Sequence, residues 1–273
     1  MNDRQSNITC QKLIYDIDNE YGLGYNNVKI AQEDKIIFCD TLYYWDKKDS
    51  LEALGNVKIV QSNQRRRLSA QKMNMYKTDK DTQILKLINS AQAFNKSESK
   101  ISKESPMRIF EDEITGSQMK AVIYKDSLTY LNIFGMATAN YHVIRDSLLI
   151  GINNVSGDSI MLNFKKDELN KMKILGGGLG EFIPEKGNSK VDSTVYYNAD
   201  YIEYLIDIEK SVLKKDAKVD YGNTMIQSGN IVVDWVTNML DADKVDEEYP
   251  IVSRGSESPM TGESMRFDLI NKK

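Results

Sequence analysis

Seven segments of this chain share one grammar, and that grammar permits few folds. Each opens at a small or turn-compatible residue: CDTLYYW from 39, AQKMNMY from 70, GSQMKAVIY from 116, GDSIMLNF from 157, ADYIEYLI from 199, SGNIVVDW from 228 and GESMRFDL from 262. In each, the fourth, sixth and usually eighth residues are apolar. The rows are Leu42 and Tyr44; Met73 and Met75; Met119, Ala121 and Ile123; Ile160, Leu162 and Phe164; Ile202, Tyr204 and Ile206; Ile231, Val233 and Trp235; Met265, Phe267 and Leu269. A period of two is that of a strand with one buried face. Asn74, Lys120, Asn163, Glu203, Asp234, Arg266 and Asp268 stand between them, so the other face is mostly wet. Such alternation belongs to antiparallel sheets solvated on one side.

A second, weaker phrase precedes each segment: NNVKI, GNVKIV, NSAQAF, GMATANY, GGGLGEFI, DAKVDY and YPIVSRG. Each starts near glycine, asparagine or aspartate and continues in strand formers, so the unit reads as strand, turn, strand. Charged connectors such as AQEDK, QSNQRRR and NFKKDELN link the units. The segments begin between 29 and 46 positions apart, too unevenly for the regular rungs of a parallel β-helix. These observations predict an all-β fold of stacked antiparallel hairpins, about fourteen to sixteen strands at the usual strand length, curled into a long trough or flattened barrel with an apolar interior. Residues 1–273 are expected to form a single elongated domain, with protruding loops at 96–105 and 184–190.

Composition removes several function classes. Lysine and arginine number 36 against 40 acidic residues, for a net charge of −4, so no basic field exists to hold nucleic acid. No apolar run is long enough to cross a bilayer as a helix. His142 is the single histidine, which removes most general-base and metal-cluster schemes. GGGLG at 176–180 lacks the lysine and hydroxyl residue of a phosphate loop. DADKVDEE at 241–248 has Asp246 where a calcium loop needs its turn glycine, and reads as surface charge. No catalytic residue, metal or cofactor is expected, and the chain is not read as an enzyme. Cys10 and Cys39 could pair in an oxidising compartment or stay free.

GNVKIV, a charged turn, then small-x-x-L-x-Y, repeated along nearly the whole chain, resembles the OstA-like family of lipopolysaccharide transport. That family includes a periplasmic bridge protein and the periplasmic N-terminal domain of the outer-membrane translocon. The closing stretch, AKVDYGNTMIQSGNIVVDWVTNMLDA with PIVSRGSESPMTGESMRFDLINKK, most resembles the part of the translocon that leads into its barrel, so the chain is expected to be a piece of a longer protein. The resemblance implies a periplasmic or outer-membrane-associated location, although MNDRQSNITC lacks the pattern of an export signal. It further implies that the stacked antiparallel hairpins form an extended, twisted β-jelly roll, with acyl chains carried inside the roll and sugar head groups outside. Implied partners are lipopolysaccharide or a related glycolipid, other β-jelly-roll transport proteins joined edge to edge, and an outer-membrane barrel.

On that reading the inner face that touches lipid is Leu42, Tyr44, Met73, Met75, Met119, Ile160, Leu162, Phe164, Ile202, Tyr204, Ile206, Ile231, Val233, Trp235, Met265 and Phe267. Flexible, polarizable methionine suits a surface that accepts several chain shapes. Arg65, Arg66 and Arg67 form the sharpest basic cluster and could meet head-group phosphates. Two other readings use the same rows: a β-solenoid or adhesin-like scaffold with a filled core, and a polysaccharide-active β-helix enzyme with stacked acids. An open apolar interior favours transport, and a filled one favours the scaffold.

Overall fold

A computed structural model describes residues 7–32, 34–61, 63–166 and 168–271; Glu33, Ser62 and Asp167, each inside one of the expected connectors, lie outside the described residues, as does the stretch before Asn7. The described residues carry eighteen strands and a single turn of 3-10 helix, Ile206–Ile208. The fold is all-β and antiparallel, as the alternation predicted. The strands exceed the expected fourteen to sixteen because several short ones, Asn7–Thr9, Lys12–Asp16 and Met260–Thr261 among them, carry no legible row.

The chain divides into two compact units. The first holds Met1–Ser97 and Glu113–Gly135; the second holds Glu98–Asp112 and Met136–Lys273. The strands of the first are β1 (Asn7–Thr9), β2 (Lys12–Asp16), β3 (Tyr21–Ala31), β4 (Lys35–Trp45), β5 (Ser50–Gln61) and β6 (Arg66–Lys77). Three strands contribute residues to both units: β7 (Thr82–Ser99), β8 (Arg108–Tyr124) and β9 (Ser127–Arg145). The second continues with β10 (Leu148–Lys165), β11 (Glu168–Pro184), β12 (Val195–Leu205), β13 (Lys210–Tyr221) and β14 (Thr224–Asp234). It ends with β15 (Met239–Asp243), β16 (Ile251–Arg254), β17 (Met260–Thr261) and β18 (Ser264–Asp268).

The rows read from the sequence are true transverse rows of the sheet. In the second unit Ile160 stands opposite Ile174, then Ile202, Leu213, Ile231, Ala242 and Met265 on successive strands. A parallel row runs Leu162, Met172, Tyr204, Ser211, Val233, Leu240 and Phe267. The first unit repeats the device with Gly24, Leu42, Ala53, Met73 and Leu87. Burying these side chains removes apolar area from water at about 25 cal/mol per Å², the main favourable contribution to each unit.

The glycine and asparagine doublets near the start of the weaker phrases are bends inside single long strands. Asn26 and Asn27 in β3, Gly55 and Asn56 in β5, Asn89 and Ser90 in β7, Gly135 and Met136 in β9, Gly176 and Gly177 in β11, and Lys215 and Asp216 in β13 all have left-handed backbone. At these places the register shifts, for example between Leu54 and Val57 and between Leu175 and Gly178. Two residues of one strand there oppose a single residue of its neighbour, a bulge that turns the strand sharply. The inside of the bend is crowded. A Cβ on Gly116 would lie 2.4 Å from Ile133 Cγ2, and one on Gly157 would lie 2.6 Å from Ile174 Cγ2. This crowding accounts for the glycines that open the segments at 116 and 157.

The sharpness of the bend shows in β12, where Tyr204 Oη donates to Tyr197 Oη at 2.5 Å although seven positions separate them. An undistorted strand would hold those residues roughly 23 Å apart and on opposite faces. The strand has therefore turned its two halves toward one another.

The two stretches expected to protrude are tied down. Residues 96–99 belong to β7, and the Ser99 hydroxyl, fully buried, donates to the Ser147 carbonyl at 3.2 Å. In 184–190, Asn188 Nδ2 donates to the Leu149 and Ile101 carbonyls at 2.7 and 2.5 Å. Serine and asparagine, read from composition as loop formers, here satisfy backbone carbonyls. Cys10 and Cys39 are free thiols.

Candidate functional site: an apolar cavity in the second unit

Bending the strands leaves room inside the second unit for a cavity of about 400 Å³. Its walls are Val143, Leu148, Ile150, Phe182, Val195, Leu205, Leu213, Val219, Val233, Leu240 and Leu269, with Trp235 against Phe182 at 6.1 Å between ring centroids. The volume falls within the range of small-ligand sites, and the lining is as apolar as such sites usually are. Trp235 Nε1 donates to the buried Ser211 hydroxyl at 2.7 Å, which fixes the indole in the wall.

One polar feature crosses this apolar lining. Asn153 Nδ2 donates to Tyr141 Oη at 2.7 Å, and Tyr197 Oη donates to Asn153 Oδ1 at 2.6 Å; Tyr204 then donates to Tyr197. The four side chains come from β9, β10 and β12 and all line the cavity. Burial pushes all three phenols well above the usual tyrosine range. They are neutral hydrogen-bonding groups throughout the physiological range and supply no charge to the interior. Gly180 makes room for the ladder, since a Cβ there would lie 1.9 Å from the Tyr197 ring.

Charged groups gather where the lining meets solvent. Arg145 at the end of β9 pairs with Glu209, which follows the 3-10 turn in left-handed backbone, and Lys210 pairs with Asp234 at 3.3 Å. Lys190 and Asp146 also belong to the lining.

The residues expected on the inner face divide three ways. Tyr204, Ile206, Val233 and Trp235 line the cavity. Ile160, Leu162, Ile202, Ile231 and Phe267 are buried, and Phe164 and Met265 half-buried, elsewhere in the second unit. Leu42, Met73, Met75 and Met119 fill the core of the first unit, with Tyr44 half-buried beside them. Ile206 departs from its row: β12 ends at Leu205, and the 3-10 turn carries Ile206 outward to 41% exposure. Arg65 and Arg66 are exposed, whereas Arg67 is half-buried with its guanidinium 4.0 Å from the Phe94 ring centroid. Strand alternation therefore sends Arg66 and Arg67 to different environments.

Sequence reasoning missed Tyr141, Asn153, Tyr197, Val195, Phe182 and Val219. For Tyr141, Phe182 and Val219 the signal was present in the weaker phrases: Ala137, Ala139, Tyr141 and Val143 keep the period of two beyond the Gly135–Met136 bend. His142 lies in β9, with Nδ1 2.8 Å from Asp112 Oδ1 and its ring 4.8 Å from Phe110, a structural role. GGGLG lies within β11, and among the described residues no cluster could hold a metal ion.

Residues 1–101 match the family model described as OstA-like protein. None of the curated proteins matches. Among solved structures the chain is similar to LptH of Pseudomonas aeruginosa, described as the LptA-homologous periplasmic component of the conserved lipopolysaccharide transport device; identity is 12%, with 55% of this chain and 93% of that one covered at a TM-score of 0.39. Over its first 101 residues the chain is thus similar to the OstA-like family that its repeated rows resemble.

Proposed function

We propose that this protein carries lipopolysaccharide or a related glycolipid toward the outer membrane from a periplasmic position, and that an acyl chain lies in the cavity of the second unit. The cavity carries the reading: about 400 Å³ of space walled by aliphatic and aromatic side chains, with paired charges confined to its edge. A scaffold would fill that volume, because packed interiors leave few voids larger than a water molecule. The OstA-like match over residues 1–101 supports the same reading, although the cavity lies in residues beyond it. Each methylene buried contributes about 0.8 kcal/mol without regard to direction, so a smooth apolar wall holds a chain yet lets it slide.

Partners of the same architecture would dock on β2. Among the described residues its one strand partner is β3, and Leu13, Ile14 and Tyr15 are exposed on it, an edge suited to accepting a further strand. An outer-membrane barrel would receive the lipid.

The test is photocrosslinking to purified lipopolysaccharide from positions 204, 213 and 233 in the wall, with position 164, outside the cavity, for comparison. Adducts at the wall positions are expected. Silence at all three would remove the transport reading, and adducts at 164 alone would move the lipid elsewhere.

A further inference from the structure

The polar ladder has more hydrogens than the protein uses. Three hydroxyls and one carboxamide, Tyr204, Tyr197, Asn153 and Tyr141, are joined in series by three hydrogen bonds. In the orientation described, Tyr141 accepts from Asn153, and its own hydroxyl hydrogen meets no acceptor among the described residues. Reversing the carboxamide would turn the bonds round and leave the spare hydrogen on Tyr204 instead. Either way a series of this length ends in an unspent donor at one terminus and an unspent acceptor at the other. Both terminal phenols line the cavity; Tyr204 is only 8% exposed and Tyr141 is half-buried.

A plain hydrocarbon chain in this cavity would leave that donor unanswered, and buried donors without partners are costly. Three apolar residues in place of the phenols would hold plain hydrocarbon better. From this we infer that the cavity selects an aliphatic chain bearing a hydroxyl group part-way along its length, which exchanges hydrogen bonds with the end of the ladder while the methylenes on either side lie against Phe182, Leu213 and Val233. This rests on the acyl-chain reading above and sharpens it. A hydroxyl both donates and accepts, so it can answer whichever terminus the carboxamide orientation leaves open.

The experiment compares tetradecanoic acid with a set of hydroxytetradecanoic acids that differ in hydroxyl position, each titrated against the full chain by displacement of a fluorescent fatty acid. At least one positional isomer is expected to bind about threefold to tenfold tighter than the parent acid, the yield of one net hydrogen bond. The preference should vanish in the Tyr141→Phe, Tyr204→Phe double variant, whose folding is checked by circular dichroism; if it does not fold, the wild-type comparison decides alone. Equal or weaker binding by every isomer overturns the hydroxyl preference while leaving an acyl-chain site intact. Failure of both the parent acid and all isomers to displace the probe overturns the acyl-chain reading and this inference with it. Competition by purified lipopolysaccharide assigns the hydroxylated chain to a glycolipid; its absence keeps the preference and assigns it to free acids.

Discussion

The Asn56 carboxamide donates to Asp40 Oδ2 at 2.9 Å across the bend of β5, and the same carboxylate occupies the space a side chain on Gly55 would need. Gly55 has a φ of +72°, and a Cβ there would lie 2.3 Å from Asp40 Oδ2. Gly176 repeats the arrangement at φ +75°, 2.3 Å from Asp158 Oδ2. Both positions need glycine twice over, for the left-handed backbone and for the neighbour. Gly187, at φ +84° with nothing within 4 Å, needs it only for the backbone. Gly187→Ala should cost about 1–2 kcal/mol, the ordinary penalty of that backbone region. Gly55→Ala and Gly176→Ala should each cost at least about 1 kcal/mol more. Urea unfolding midpoints of the three variants give the comparison, and equal losses would refute the crowding.

The transverse rows predict a contrast between two isoleucines of one segment. Ile202, fully buried between Ile174 and Leu213, should lose about 2–5 kcal/mol on truncation to alanine, transfer and cavity contributions together. Ile206, four positions on but carried outward by the 3-10 turn, should change stability by no more than about 0.5 kcal/mol. Thermal or denaturant unfolding distinguishes them.

Filling the cavity should abolish ligand uptake without removing the fold. Val233→Phe adds a ring where Val233 now faces the free space. Overpacking costs about 1–3 kcal/mol, less than the stability of a typical domain. Uptake of a fluorescent fatty acid should fall at least about tenfold, whereas Phe164→Leu, outside the cavity, should leave it unchanged.

Alkaline pH should weaken the fold through groups that burial holds protonated. Burial pushes the Cys39 thiol from 9.0 up to about 11, and Asp40 beside it adds to the shift. Burial does the same for Tyr44, raised from 10.0 to about 12 with help from its hydrogen bond to Asp46. The folded state binds these protons more tightly than the unfolded chain does. Their contribution is therefore complete below about pH 9 and is lost as pH rises through 11 to 12. The urea midpoint should fall across that window, and Cys39→Ala should flatten the part of the fall between pH 9 and 11. In the folded protein at pH 8, thiol reagents should modify Cys10, which is half-buried, well before the buried Cys39.

The strands and their inward rows were legible in the sequence because alternation is a local property of extended backbone: Ile160, Ile202 and Ile231 had to share one face whatever else the chain did. The small residue opening each segment was legible too, but not its cause, since a Gly–Asn pair looks the same in a hairpin turn and in a bend within a strand. Only the tertiary structure distinguished the two, through the register shift and the crowding of Gly116 and Gly157 against isoleucines on neighbouring strands. Tertiary structure alone also divided the chain into two units and decided which inward side chains meet in a filled core, like Ile202, and which face free space, like Val233. Whether space remains between facing rows depends on how residues distant along the chain interdigitate, and so does a hydrogen-bonded ladder assembled from β9, β10 and β12. Neither is encoded in the period of any one strand.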